Sequence, residues 1–274
     1  MYKVGISTCG DKPMTDEAFK YMADSNISAI EISLPYDKVK DFDYKNAKTL
    51  SGRYGVDIWS YHLPFLPFEE IDPSHLDKNI RDYTVKYFNE LIKKGADIGI
   101  DKFVIHPSGE PIADSQREER MKCSMESLDK LAETAYECGA VIAVEDLPRT
   151  CLGHDSDEIL RLISTNDKLR VCFDTNHLLI DDNITFMDNL GDKIVTIHVS
   201  DYEFFDECHW LPGEGKVDWV KMIDKFEEIK YNGVWLYEMG FKGERGITRS
   251  RDLTYKDFYD NAKAIFEKCE IPRI

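Results

Sequence analysis

Eight short apolar runs, each followed by a longer amphipathic stretch, are the feature that most limits how this chain can fold. The runs are KVGIS (3–7), SAIEIS (28–33), VDIWSYH (56–62), KFVIH (102–106), VIAVE (141–145), RVCFD (170–174), IVTIHVS (194–200) and VWLYE (234–238). Their length and β-branched content are those of buried parallel strands. The stretches 15–24, 45–54, 77–98, 114–138, 156–164, 183–190, 217–229 and 255–269 place apolar residues at helical spacing. Tyr87, Leu91 and Ile92 do so in one, and Leu128, Leu131, Ala135 and Cys138 in another. Thr15, Asp114 and Ser156 are positioned to open helices, and Gly99, Gly139 and Gly191 to close them. Eight strand–helix units predict the α/β class and a single (β/α)8 TIM barrel, a fold of about 250 residues. The 274 residues are read as one such domain, 1–274, without a linker or low-complexity tract. An open dinucleotide-binding sheet alternates similarly, but Thr8-Cys9-Gly10 after the first run is not a glycine-rich phosphate loop.

Charge narrows the partners. With 52 acidic against 35 basic residues the formal charge is −17, a field that repels nucleic acid and anionic membrane surfaces. Seven cysteines, an odd number without close pairs, read as reduced thiols in a cytoplasmic protein with no structural disulfide. The chain enters a strand at once (MYKVGIS), and no run approaches the roughly 20 apolar residues of a membrane helix. A small-molecule partner is expected, and assembly into a homo-oligomer stays open.

The ends of the runs carry the chemistry. Five of them finish on His62, His106, Glu145, Asp174 and Glu238, a sixth carries His198 after its apolar core IVTI, and His177 lies three residues past Asp174. In a barrel all of these reach one mouth, where the loops following the strands converge. Imidazoles and carboxylates are the usual ligands of divalent metals. Taken singly, a strand-final histidine is as readily a hydrogen-bonded mouth residue, and a lone acid a helix cap. Taken together, Glu145, Asp174 and Glu238 would repel one another unless shared protons or a cation compensated them, and a divalent metal is the simplest compensation.

These elements, VEDLP at Glu145, FDTNH at Asp174 and His177, HVSD at His198, HWLPGEG at His209 to Gly215 and LYE at Glu238, resemble the xylose-isomerase-like TIM-barrel superfamily along essentially the whole chain. That group includes sugar and sugar-phosphate isomerases, ketose 3-epimerases, inosose dehydratases and barrel-type apurinic endonucleases. The resemblance to ketose epimerases implies that Glu145, Asp174, His198 and Glu238 bind one divalent ion (Mn, Mg, Zn or Co). It further implies that Glu145 and Glu238 are the catalytic bases, with His62, His106, His177 and His209 facing a carbohydrate substrate. The expected activity is a sugar or sugar-phosphate isomerase or epimerase working through a metal-stabilised enediolate. One glutamate removes the α-proton; the other returns it to the opposite face, or to the neighbouring carbon.

Two departures accompany the resemblance. Ketose epimerases usually carry an arginine shortly after the seventh-strand histidine, where this chain has Tyr202, Glu203, Phe204 and Phe205, and the Arg-His pair of many relatives is Cys208-His209 here. The first alternative is a metal-dependent sugar or inosose lyase with the same donor set. The second is a trinuclear-zinc phosphodiesterase of the apurinic-endonuclease kind, for which His62, His106, Glu145, Asp174, His177, His198, His209 and Glu238 all fall in place and Glu207 replaces an aspartate. The acidic surface argues against DNA.

Loops add expectations. Phe65 and Phe68 fit a lid or a plug, Trp210 a sugar platform or loop packing, and Glu31 a hydroxyl ligand or an interior carboxylate. Lys242, Arg245, Arg249 and Arg251 fit an anion site, a solvated loop or a subunit contact.

Overall fold

The eight runs pair as parallel neighbours in the order β7-β6-β5-β4-β3-β2-β1-β8. They comprise β1 (Val4–Ser7), β2 (Ala29–Ser33), β3 (Asp57–His62), β4 (Lys102–Ile105), β5 (Val141–Glu145), β6 (Arg170–Asp174), β7 (Ile194–His198) and β8 (Trp235–Tyr237). A parallel bridge between Val199 and Tyr237 brings β7 to β8 and nearly closes a TIM barrel. The structure, a computed structural model, describes residues 2–10, 12–243, 245–272 and 274.

Helices follow the strands: α1 (Asp16–Asp24), α2 (Tyr36–Val39), α3 (Tyr44–Tyr54), α4 (Lys78–Asp97), α5 (Asp114–Glu137), α6 (Ser156–Ile163), α7 (Asn183–Leu190), α8 (Trp219–Glu228) and α9 (Tyr255–Phe266). Expected spans and observed elements differ by a residue or two at most ends; α9 stops three residues short of 269. The single-turn α2 after β2 was not expected. Its four residues are too few for a periodic signal.

Thr15 caps α1 by accepting the Ala18 N–H. At α6 the cap is Asp155 rather than Ser156: the Asp155 carboxylate accepts the Glu158 N–H at 2.8 Å, and Ser156 bonds Asp181 instead. α5 opens at Asp114 without a side-chain cap. Gly99 and Gly139 take the left-handed conformation that ends α4 and α5, with φ of 96° and 73°. Gly191 stays right-handed and runs into a 3₁₀ turn; glycine is required there by space, since a Cβ would meet Ile229 at 2.7 Å.

Strand side chains alternate between two cores. Outward residues such as Ile6, Ile30, Tyr61, Phe103, Ile142, Phe173, Ile197 and Trp235 join the helices in one cluster. The opposite face forms two small clusters inside the barrel: Ala29, Val234 and Leu236, and Val104, Ala143 and Cys172. Two positions further along the same inward rows stand Glu31, His106, Glu145, Asp174 and Glu238. The period of two that fills the barrel with small residues thus delivers polar side chains to its mouth.

Candidate metal and catalytic site

Glu145 is the hub. One carboxylate oxygen, Oε2, lies 3.1 Å from His62 Nε2 and 3.2 Å from His106 Nε2. The other, Oε1, lies 2.7 Å from His198 Nδ1. That same His198 nitrogen is 3.2 Å from Glu238 Oε2 and 3.9 Å from Asp174 Oδ2. Donor atoms of Glu145, Asp174, His198 and Glu238 therefore fall within 4.8 Å of one another, as do those of His62, Glu145 and His198. A third set, His177, Glu207 and His209, meets the same limit. All four residues expected as metal ligands are brought together. The four histidines expected at substrate line the cavity above them, and each also faces a carboxylate.

The sequence motifs explain the placement. In FDTNH, Asp174 Oδ1 accepts the Asn176 N–H at 2.7 Å, leaving Oδ2 buried without a hydrogen-bond partner. Thr175 ties β6 to β7 by donating to the Ser200 carbonyl at 2.7 Å. Asn176 Oδ1 accepts the N–H groups of Cys208 and His209 at 2.8 and 3.2 Å, fixing the loop that carries His209 and Glu207. His209 adopts the left-handed backbone, φ 51°, that this loop requires. In HVSD, Asp201 accepts from Tyr202, Gly213 and Val217 N–H groups and from Trp219 Nε1. Gly215 of LPGEG is needed because a Cβ there would sit 2.3 Å from the Asp201 carboxylate.

Ring nitrogens facing away from the centre are anchored. His62 Nδ1 donates to the Leu63 carbonyl (2.9 Å), His177 Nδ1 to the Asp146 carbonyl (2.8 Å), and His209 Nδ1 to the Glu238 carbonyl (3.1 Å). Each turns Nε2 inward toward a carboxylate, and loss of the proton there would give the arrangement metal-binding imidazoles adopt. His198 is the reverse: Nε2 faces Glu31 at 3.1 Å, and Nδ1 faces the centre. Glu31 is itself held by the Ser60 hydroxyl at 2.8 Å. Glu31 is thus an interior carboxylate bound to a site histidine, a role hidden in sequence because strand two ends on Ser33.

Electrostatics reflect crowding. Burial acts to raise the Glu145 carboxyl, yet His198, His106 and His62 outweigh it and hold it well below the usual range. Burial pushes Asp174 up to about 6, with the Glu238 charge adding to it against the pull of His177. Burial opposes charge on His62, but Glu145 beside it raises the imidazole to about 9. His198 and His177 are likewise held high by surrounding carboxylates despite burial. Such a cluster of anions and imidazoles is stabilised by protons or by a cation. Carboxylate oxygens, imidazole nitrogens and the unpartnered Asp174 Oδ2 together fit a divalent ion.

The cavity over the cluster measures about 440 Å³. Phe65 stacks on His106, ring centroids 4.3 Å apart, as a wall of this cavity. Phe68 lies against Gly109, where a Cβ would come within 2.6 Å of it. Trp210 is buried, and its backbone pairs with Asp201 beneath the loop. Tyr202, in the segment where an arginine was looked for, is buried and donates to the Leu178 carbonyl. Cations reach the cavity from elsewhere: Arg149, after β5, and Arg245. Arg245 pairs with Glu207, Arg249 with Glu214 and Arg251 with Asp257, so three of the four cations in the tail loop serve internal ion pairs. The cysteines are free thiols, and no helix among the described residues is long and apolar enough to cross a membrane.

Residues 19–257 match the family described as a xylose isomerase-like TIM barrel. An uncharacterized protein of Methanocaldococcus jannaschii is 25% identical over 283 residues, covering 98% of this chain and 94% of that protein. Among solved structures, a D-tagatose 3-epimerase-like protein superposes with a TM-score of 0.75 at 25% identity, covering 86% of this chain and 90% of the other. The 3-keto-D-glucoside 4-epimerase of E. coli has the same fold, with a TM-score of 0.76 at 18% identity over 98% of this chain and 100% of its own.

Proposed function

The chain belongs to the xylose isomerase-like TIM-barrel family, and from that premise we propose that it is a divalent-metal-dependent sugar isomerase or epimerase. The observation that carries this reading is the meeting of Glu145, from β5, and Glu238, after β8, at one nitrogen of His198. The two carboxylates arrive from strands separated by β6 and β7, so they can approach a bound carbon chain from different directions. The likeness to a D-tagatose 3-epimerase-like protein supports it.

Glu145, Asp174, His198 and Glu238 would hold the ion, which when bound supplies a Lewis acid that makes the α-proton of a hydroxyketone removable. The protein does the rest. Glu145 and Glu238 are both held ionised by their histidines, so either can act as the base at neutral pH. One takes the proton, and the other returns one to the opposite face of the same carbon for epimerisation or to the adjacent carbon for isomerisation. His177 and His209, fixed through Nδ1, present Nε2 to substrate hydroxyls, and Phe65 limits water at the mouth.

A second reading has its own observation. Glu145 splits its oxygens between the His62–His106 pair and His198, while His177, Glu207 and His209 form a further donor set. Several ions side by side would suit phosphoester hydrolysis. The net charge of −17 disfavours a nucleic-acid substrate.

Metal analysis followed by incubation with ketoses, sugar phosphates and inososes in heavy water tests these readings. Solvent deuterium on a sugar carbon without elimination is the expected result. Loss of water would indicate a lyase, and scission of abasic DNA at physiological salt would replace the proposal with the hydrolase.

A further inference from the structure

The cavity over the carboxylate–histidine cluster does not end there. Through Cys9, Gly10, Ser33, His62, Phe65 and Leu66, which line both spaces, it continues into a second cavity of about 630 Å³ between the loops after β1, β2 and β3. Beyond those shared residues the walls are Leu34, Pro35, Tyr36, Leu63, Pro64 and Pro67, with Asp37 at the rim. Tyr36 is braced as a wall by its hydroxyl contact with Tyr83 (2.8 Å) and an edge contact with Tyr87. Leu66 is 51% exposed, apolar surface left uncovered beside a polar site.

The first cavity alone is of a size that holds a small ligand, typically about 300–1,000 Å³. The second space is therefore available to something attached to the sugar. Its chemistry is defined by two observations. The walls are apolar, and the cations of the first cavity are committed: Arg149 to Glu110 and Asp206, Arg245 to Glu207. A phosphate on the substrate would have to displace a carboxylate from one of these guanidiniums, and Asp37 would repel it at the groove. An uncharged apolar group meets neither obstacle.

Resting on the sugar reading above, we infer that the substrate is a glycoside whose uncharged apolar or aromatic aglycone lies in the Leu34–Tyr36–Leu66 groove. A glycosidic bond locks the anomeric carbon, so the carbonyl that makes a proton removable must be on another ring carbon. The substrate is then a keto-glycoside, supplied by a reaction that oxidises a ring hydroxyl. Epimerisation conserves its formula: one C–H bond breaks as a glutamate takes the proton, and one forms on the opposite face. No oxidant or reductant is consumed.

The metal-loaded protein should exchange solvent deuterium into phenyl 3-keto-glucoside with a kcat/KM about tenfold or more above that for the methyl 3-keto-glucoside, from burial of the ring. Leu34→Asp should bring that ratio close to one. In saturation-transfer NMR, phenyl β-glucoside, which has no carbonyl to react, should show its strongest signal on the aromatic protons, and Leu34→Asp should remove it. Equal kcat/KM for the two keto-glucosides, a ratio that survives Leu34→Asp, or preference for a phosphorylated ketose would overturn the aglycone groove while leaving the sugar reading in place. Exchange with no carbohydrate at all would overturn both.

Discussion

Glu31 and His198 face each other inside the barrel, a carboxylate oxygen 3.1 Å from the imidazole Nε2. This contact orients His198 with Nδ1 toward the centre, so that with a proton kept on Nε2 toward Glu31, Nδ1 is the nitrogen that would offer its lone pair to a metal. Glu31→Ala is expected to weaken divalent-metal affinity by about ten- to a hundred-fold, and Glu31→Gln less, since an amide oxygen still accepts the N–H. Competition against a chromophoric chelator measures this; wild-type affinity in Glu31→Ala would remove Glu31 from any part in metal binding.

Glu145→Gln and Glu238→Gln are each expected to abolish net epimerisation or isomerisation while the far-ultraviolet circular dichroism is unchanged, the remaining glutamate exchanging deuterium only on the face it serves. Glu145→Gln should also lower metal content, because it faces both His198 and the His62–His106 pair. Retained net epimerisation or isomerisation in either variant would refute the two-base scheme.

Chelation is expected to lower the thermal midpoint, and saturation with a divalent ion at about a hundred times its Kd to restore about 2.7 kcal/mol. Elemental analysis of the reloaded protein gives the count. One ion per chain fits the isomerase reading; two or three per chain would favour the hydrolase.

Gly5 on β1 has no room for a side chain: a Cβ would lie 2.6 Å from Val234 and 2.9 Å from Leu236. Gly5→Ala is expected to cost about 1–3 kcal/mol of stability through overpacking inside the barrel. Urea unfolding measures it, and an unchanged midpoint would show that the interior repacks freely.

Asp72, at the base of the loop after β3, is buried and held by Arg120 and by the Ser74 hydroxyl. Asp72→Ala leaves the Arg120 charge uncompensated and should cost about 3–5 kcal/mol. In the fraction that remains folded, KM should rise while metal affinity stays unchanged, because the loop carries Phe65 and Leu66 but none of the central carboxylates. Reduced metal affinity would show that the loop also shapes the cluster.

The barrel and most of its mouth were legible because one rule serves both. Inward residues recur every second position, so Ala143 predicts where Glu145 points, and Cys172 does the same for Asp174. Legibility failed where long-range contacts decide. Glu207 was named beside His177 and His209 only through the resemblance, as a replaced aspartate; what seats it there is Asn176, thirty-odd positions earlier, which holds the backbone of residues 208 and 209. For Arg245, Arg249 and Arg251 an anion site, a solvated loop and a subunit contact all stayed open; Glu207 and Glu214 lie 38 and 35 positions from Arg245 and Arg249, and only Asp257, six from Arg251, is near in sequence. Glu31 was visible as a strand carboxylate, but its partner lies 167 residues away.

The bridge between Val199 and Tyr237 has a further consequence. Where other neighbouring strands share two to five register pairs, β7 and β8 meet at this one point. Glu238 is the next residue, and its own N–H reaches Val199 at a long 3.3 Å. The thinnest seam in the circle therefore runs beside Glu238, one of the two proposed bases, so an opening of that seam would change the position of Glu238 relative to Glu145.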